Sequence, residues 1–287
     1  EKSKEKQARE KAGYDMIVMD EEHIYTRIWI YNVKTGQTQK VYKQNLNVGS
    51  FEWASDSKNI IFQATEKTGA DRDLLERSIY RVKVPSGNPR KVLETPGKLG
   101  DMAVSPNSET LAFLGATTYN DPIAQSIYTV PVKGGKATLH TPDFKESFMT
   151  VEWVDDQTIL GKSYRGTKTV LSTIDTKEKS PEGVANQTDV LAPNQILSSV
   201  SLHRSSGQLV IIASGHGHTN EIHVGALGQS TIQRLTYSNP DFDKIALAKQ
   251  ETISWIGIDG LGIEGVITYP LKYRKGKRYP LVLQIHG

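Results

Sequence analysis

The stretch DMAVSPNSETLAF, residues 101–113, has a plan that decides the fold of this chain. An apolar pair leads into a polar turn, and an apolar strand leaves the turn. Three further stretches follow the same plan: FEWASDSKNIIF (51–62), VEWVDDQTIL (151–160) and VSLHRSSGQLVII (200–212). The units are separated by 50, 50 and 49 residues when they are aligned on Trp53, Ala103, Trp153 and Leu202. A fixed period of this length is typical of repeat architectures.

Further alternating strands accompany these hairpins, which indicates four strands in each unit. SIYRVKVPSG (78–87) and SIYTVPVKGG (126–135) follow the first two hairpins, and a glycine turn ends each. The strand IWIYNV (28–33) precedes the first hairpin, and its two largely apolar faces predict cover by sheets on both sides. The sequence therefore predicts an all-β fold, a partial β-propeller with about 4–5 four-stranded blades. The first unit (14–42) lacks its leading hairpin, which predicts further blades upstream.

The composition narrows the class of partner. The 287 residues include 35 basic and 32 acidic side chains scattered along the chain, so no single-sign field would attract nucleic acid. No apolar run of about 18 residues is present to span a membrane. We therefore expect neither nucleic acid nor a membrane as a partner. The chain has no cysteine, which fits the cytoplasm, the periplasm or a secreted bacterial protein equally. Residues 1–13 are highly charged, and we expect a charged loop or a disordered lead-in there.

The repeat stops after residue 245, and the segment 246–287 follows a different plan. Asp259-Gly260 is a strong hairpin turn, and the apolar residues on either side predict a two-stranded hairpin. After a basic linker comes PLVLQI (280–285), a nearly continuous apolar run of the kind that is buried in a parallel α/β sheet. We therefore predict a propeller over 14–245, followed by a junction and the first strands of an α/β-hydrolase domain.

The hairpin repeat over 14–236 resembles the W-S-P-D-G repeat of TolB-like, tricorn-like and prolyl oligopeptidase-like propellers. The tail resembles, more closely, the junction between propeller and catalytic domain in the prolyl oligopeptidase family of serine peptidases, especially its acylaminoacyl-peptidase-like and dipeptidyl-peptidase-like members. The matching residues are Trp255, Asp259, Gly260, Ile263, Glu264, Gly265, Tyr269, Pro270, Tyr273, Gly276, Lys277, Tyr279, Pro280, His286 and Gly287.

This resemblance implies a parent enzyme that hydrolyses short peptides by Ser-His-Asp acyl transfer, without a cofactor. His286 and Gly287 would belong to the turn that helps to form its oxyanion hole. The nucleophile elbow G-x-S-x-G is absent from the 287 residues, so the triad would lie downstream. The chain is then a propeller that controls access, inactive by itself, whose partners are the peptide substrate and the hydrolase domain. Oligomerisation is left open.

Two other readings compete with this one. A free-standing TolB-like propeller would act as a protein-interaction or ligand-binding module, although the segment 263–287 argues against it. A propeller lyase or glycosidase would need acid and base residues at the central axis, and none is identifiable in the sequence.

Few other residues suggest chemistry. Glu21 and Glu22, with Arg27, could hold the free amino group of a peptide, because such carboxylates form charge-assisted hydrogen bonds, but a solvated acidic turn explains them as well. His216, His218 and His223 could form a metal cluster, yet no carboxylate completes it, and a solvated loop is the simpler prediction: no metal. Trp53 and Trp153 share one repeat position, which predicts blade-core packing rather than ligand stacking.

Overall fold

The computed structural model describes residues 4–14, 24–120, 123–142, 144, 146–179, 185–191 and 195–285. The chain divides into two compact units, one of residues 1–99, 115–123 and 130–136 and one of residues 100–114, 124–129 and 137–287. The helical elements of the described residues are short: α1 (Lys4–Lys11), α2 (Ala70–Leu75) and a 3₁₀ helix (Pro240–Lys244). None of these described helices is long and apolar enough to cross a membrane.

The described strands form six sheets, of which four have four strands each and are called blades. The first blade contains β3 (Asn47–Trp53), β4 (Asn59–Thr65), β5 (Ser78–Lys83) and β6 (Arg90–Glu94). The second contains β7 (Leu99–Val104), β8 (Thr110–Gly115), β9 (Ser126–Pro131) and β10 (Thr138–Leu139). The third contains β11 (Ser147–Trp153), β12 (Thr158–Arg165), β13 (Lys168–Lys179) and β14 (Ala185–Leu191). The fourth contains β15 (Ile196–His203), β16 (Gln208–Gly215), β17 (His218–Ala226) and β18 (Gln233–Arg234).

Two smaller sheets complete the list. The N-terminal pair contains β1 (Trp29–Tyr31) and β2 (Thr38–Lys40), and the tail hairpin contains β19 (Gln250–Ile256) and β20 (Gly262–Thr268). Consecutive strands are neighbours within every sheet. This all-β arrangement of four-stranded antiparallel sheets is that of a β-propeller, and it confirms the fold class predicted from the repeat.

The turns between the first two strands of each blade give the structural period. In three blades the first turn residue donates its N–H across the turn, from Ala54 to Asn59 O, from Ser105 to Thr110 O and from Val154 to Thr158 O. In the fourth, the carbonyl of His203 closes the turn. The equivalent positions are therefore Ala54, Ser105, Val154 and His203, at separations of 51, 49 and 49 residues. Trp53 corresponds to Val104, one residue from the Ala103 of the sequence alignment.

The N-terminal pair and the first blade share one core in the first unit. Tyr42, Phe62 and Tyr80 form a continuous stack with 5.5 Å between neighbouring ring centroids. Ile28 is buried in the same cluster, whereas Trp29, on the other face of the strand, is 57% exposed. The prediction that both faces of IWIYNV are covered is therefore wrong for one face. That face carries Trp29, Tyr31 and Val33.

Blades two, three and four pack face to face in the second unit. Ala112, Leu114 and Ile127 of the second blade contact Phe148 and Ile159 of the third. Burying the leucine, isoleucine and phenylalanine side chains contributes roughly 1.5–3 kcal/mol each relative to leaving them in water. The opposite face of the third blade packs on the fourth through a second buried cluster. Its members are Leu160, Leu171, Leu191, Leu197, Leu202, Leu209, Ile211 and Ala213.

Polar contacts repeat along the same three blades. Asp101 Oδ2 accepts the N–H of Val151 at 3.0 Å, and Glu152 Oε2 accepts the N–H of Leu202 at 3.2 Å. Both contacts join residues 50 apart, so each blade satisfies an N–H of the next one. Burial raises the pKa of both carboxyl groups, while these hydrogen bonds oppose the rise.

The two tryptophans at the shared repeat position differ in their surroundings. Trp153 is 1% exposed and donates Nε1–H to Ala103 O at 2.9 Å, so the prediction of blade-core packing is confirmed for it. Trp53 is 46% exposed, and the same prediction is wrong there. Trp153 lies between two blades, and its cover comes from the neighbouring sheet.

Candidate functional site

The tail hairpin lies against one end of the third and fourth blades. Thr167, in the turn between β12 and β13, donates its N–H to Glu264 Oε2 at 3.1 Å. Its Oγ1 lies 3.1 Å from Thr252 Oγ1 of β19. His216, in the turn between β16 and β17, has Nδ1 3.3 Å from Gln250 Oε1. We call this end of the two blades, with its turns, the hairpin end.

The hairpin end requires glycine at one position. Gly166 has φ +56°, a left-handed conformation that side chains disfavour. A Cβ at this position would clash with Glu264 Oε2, so the carboxylate occupies the space that a side chain would need. Glu264 is one of the tail residues that match the peptidase junction. The close approach of Gly166 therefore allows Glu264 to reach the N–H of Thr167.

An ion-pair network stands beside this turn. Arg165 Nε donates to Glu146 Oε1 at 2.6 Å, and its two Nη atoms donate to the two oxygens of Asp189 at 2.6 and 2.9 Å. Ser163 donates its hydroxyl to the other oxygen of Glu146, and Ser172 donates to Asp189 Oδ1 at 2.8 Å. Hydrogen bonding to Asp189 and Glu146 raises the pKa of Arg165, and Arg165 lowers the pKa of Asp189. The network carries one net negative charge.

The strand register brings this network together. Glu146 directly precedes β11, whose first residue Ser147 pairs with Tyr164, so the next residue along β12, Arg165, comes opposite Glu146. Asp189 pairs with Ser172 of β13. Glu146 is 10% exposed at its side chain, whereas Arg165 and Asp189 are about 40% exposed. The buried carboxylate fixes the guanidinium, and the exposed half of the network faces solvent.

A second anionic group is buried in the fourth blade. Glu221 accepts hydrogen bonds from Thr236 Oγ1, from both the N–H and the hydroxyl of Ser238, and from Arg234 Nη2 at 3.1 Å. These contacts lower its pKa to about 2, with the Thr236 hydroxyl as the largest cause. Arg234 also lies 4.2 Å above the ring of Tyr237. Because its donors lie at the end of β18 and in the residues that follow, Glu221 holds the chain after β18 in place.

The three histidines lie near each other in sequence but do not form a metal cluster. His218 and His223 have ring centroids 5.2 Å apart, and each directs Nδ1 to a backbone carbonyl, that of Thr219 and that of Glu221. Within the described part of the chain, no group of three or more metal-ligating residues of the His, Cys, Asp or Glu type occurs. The prediction of a solvated loop fits His216, whereas His223 is buried in β17.

The residues proposed from the sequence are only partly within the described ranges. Glu21, Glu22, His286 and Gly287 lie outside them. Arg27 donates to Gln44 O at 2.5 Å and to Asn45 Oδ1 at 2.7 Å, so it ties two chain segments together. The substrate-binding role of these residues stays a prediction. The network of Glu146, Arg165 and Asp189 was not predicted from the sequence, where its only signal is the charged Arg165 directly before the glycine turn at Gly166.

Comparisons with known proteins support the fold. No protein-family model matches the sequence, and a search of curated proteins finds no relative. Among solved structures, the chain is similar to TolB from Acinetobacter baumannii, with TM-score 0.54, 14% identity and coverage of 84% of this chain and 56% of that one. It is also similar to an oligogalacturonate lyase in complex with manganese (TM-score 0.57, 15% identity, 85% and 72% covered). A structure of prolyl endopeptidases gives TM-score 0.55, 14% identity and coverage of 81% and 33%.

At identities of 14–15%, these similarities show a shared propeller fold and nothing about function. The chain spans about half the length of TolB and about a third of the prolyl endopeptidase. Its structural neighbours therefore include both TolB-like propellers and propeller domains of peptidases. The same fold hosts unrelated functions, so function has to be argued from the hairpin end and the tail.

Proposed function

We propose that this chain is the propeller part of a serine peptidase of the prolyl oligopeptidase type, which hydrolyses short peptides with catalytic residues supplied by a following α/β-hydrolase domain. The observation that carries the proposal is the contact of Glu264 with the Gly166-Thr167 turn. Glu264 belongs to the segment that resembles the peptidase junction, and this contact attaches that segment to the hairpin end.

The chain beyond the tail hairpin also supports this function. Leu281, Val282, Leu283 and Ile285 are 74–90% exposed and lie outside any strand. So much adjacent apolar surface is unfavourable in water, and the run has the composition of a buried parallel strand. Adding neighbouring strands of a hydrolase sheet would bury it. The tail would then carry the chain from the hairpin end directly into the catalytic domain.

In this proposal the propeller limits what reaches the catalytic site. The connections at the hairpin end would face the hydrolase domain, and they include the half-exposed pair Arg165 and Asp189. Folded proteins would be excluded by size, while short peptides could enter. The negative charge of the network would favour peptides with a free amino group over peptides with a free carboxylate at that point.

A free-standing binding propeller is the second candidate, and the similarity to TolB favours it. In that case the residues after β20 would have no catalytic partner, and the hairpin end would bind a protein or a small ligand. The two candidates differ in one property, which is the presence of a nucleophilic serine in the complete polypeptide.

Labelling with a fluorophosphonate probe tests the proposal. The polypeptide encoded by the complete reading frame should be labelled at a serine and should cleave aminoacyl or peptidyl chromogenic substrates. The 287-residue chain should show neither reaction, because it contains no G-x-S-x-G elbow. Absence of labelling and cleavage in the complete polypeptide would contradict the peptidase function and favour the binding propeller.

A further inference from the structure

The second strand of each blade reveals an unequal distribution of burial. In β4, β8 and β12, residues on both faces of the strand are buried along most of its length. In β16 buried and exposed residues alternate, so none of the described residues covers one face of the fourth blade. Its apolar side chains Val210, Ile212, Ile222 and Ile196 are 49%, 40%, 40% and 42% exposed. We call this surface the open face.

Cross-strand register shows that these side chains share one face. Ile212 pairs directly with Ile222 of β17, and Ile196 pairs with Ser214, which lies two residues beyond Ile212 on β16. Val210 lies two residues before Ile212. Because alternate residues of a strand point to the same side and paired residues share a side, the four form one apolar patch.

In the third blade, the positions equivalent to those of the open face are covered by a neighbouring blade and buried. The pairs Trp153 with Ile159 and Leu202 with Leu209 are equivalent, so Leu160 corresponds to Val210. By the same register, Lys162 corresponds to Ile212 and Leu171 to Ile222. Those three residues of the third blade are only 3%, 5% and 0% exposed, because the fourth blade packs over them.

We infer that the open face is a docking surface for one further four-stranded blade carried by the same polypeptide. The contact would continue the interface that already joins the second blade to the third and the third to the fourth. Each of those interfaces is formed within one chain, between units 49 residues apart. The inference holds for a peptidase and for a binding propeller alike.

The absence of cysteine from the 287 residues makes single-cysteine labelling a clean test. Ile212→Cys reports on the open face, with Val210→Cys as a second reporter in case the first variant folds poorly. Two matched controls come from the same blade. Ile211→Cys is on the opposite, fully buried face, and Ser230→Cys is in the exposed segment before β18.

The measured quantity is the rate of maleimide labelling of the Ile212→Cys variant, compared between two polypeptides. In the 287-residue chain the rate should match that of Ser230→Cys, and in the complete polypeptide it should fall at least about tenfold, since a packed site reacts only on local opening. Ile211→Cys should react slowly in both. Protection should persist when the complete polypeptide is shortened after Gly287, because the blade repeat stops at residue 245 and the tail hairpin that follows is a separate two-stranded sheet.

Three results would overturn the inference. Equal rates in the two polypeptides would mean that no blade covers the open face. Slow labelling in the 287-residue chain that speeds up on dilution would assign the surface to a second copy. Loss of protection on shortening after Gly287 would assign it to a following domain. None of these results bears on fluorophosphonate labelling, so the peptidase proposal is tested separately.

Discussion

Truncation of Leu160 and of its counterpart Val210 should have very different effects on the stability of the 287-residue chain. Leu160 is 3% exposed beneath the fourth blade, so Leu160→Ala leaves a cavity and should cost about 3 kcal/mol. Val210 is 49% exposed, so Val210→Ala removes few buried contacts and should cost about 0.5 kcal/mol. The expected fall in melting temperature is roughly 6–12 °C for the first variant and roughly 1–2 °C for the second.

Thermal melts followed by circular dichroism, together with urea midpoints, measure both variants. Wild-type secondary structure before the transition serves as the control for folding. Equal losses for the two variants would contradict this expectation, because Val210 would then be packed as well as Leu160. If Leu160→Ala caused no loss of stability, the third and fourth blades would not share a core.

Three further predictions concern the hairpin end, acid stability and blade contacts. Gly166→Ala should push the carboxylate of Glu264 away from the N–H of Thr167, which should loosen the tail hairpin and speed tryptic cleavage within 272–278. Gly36→Ala, also at positive φ but with open space around it, should not change cleavage there, and equal cleavage of the two variants would contradict the Glu264 contact. The pKa of Glu221 is lowered to about 2, so its contribution to stability is present above about pH 4.5 and is lost as pH falls towards 2. Glu221→Gln should therefore flatten the fall of melting temperature between about pH 5 and about pH 2.5, and an unchanged slope would count against it. Trp153→Phe should lower the free energy of unfolding by about 1–3 kcal/mol in urea titrations, because Ala103 O loses its donor. Trp53→Phe should change it by less than about 0.5 kcal/mol, because Trp53 is half exposed. Similar values for the two variants would argue against the interblade hydrogen bond.

The repeat could be predicted from the sequence because its cause is local. Polar turn residues and alternating strands recur within about fifty positions, and four four-stranded sheets result. The alignment nevertheless missed by one residue in the second blade, because apolar residues alone do not reveal which backbone groups close the turn. Val104, rather than Ala103, stands where Trp53 does.

Burial and the polar networks could not be predicted, because they depend on neighbouring sheets. The same repeat position is buried at Trp153 and half exposed at Trp53, and nothing in the local pattern distinguishes the two. Glu146, Arg165 and Asp189 span more than forty positions and meet only through strand register. The tail is different: its hairpin was predicted from Asp259-Gly260, and Gly260 has φ +80° in the turn.

Hydrogen exchange of the backbone amides in 281–285 tests the peptidase account most directly. In the 287-residue chain these residues form no strand and are exposed, so their amides should exchange rapidly. In the complete polypeptide the same amides should be strongly protected, because the run would be an inner strand of the hydrolase sheet. Rapid exchange in both polypeptides would contradict the account, since the tail would then lead into no catalytic domain.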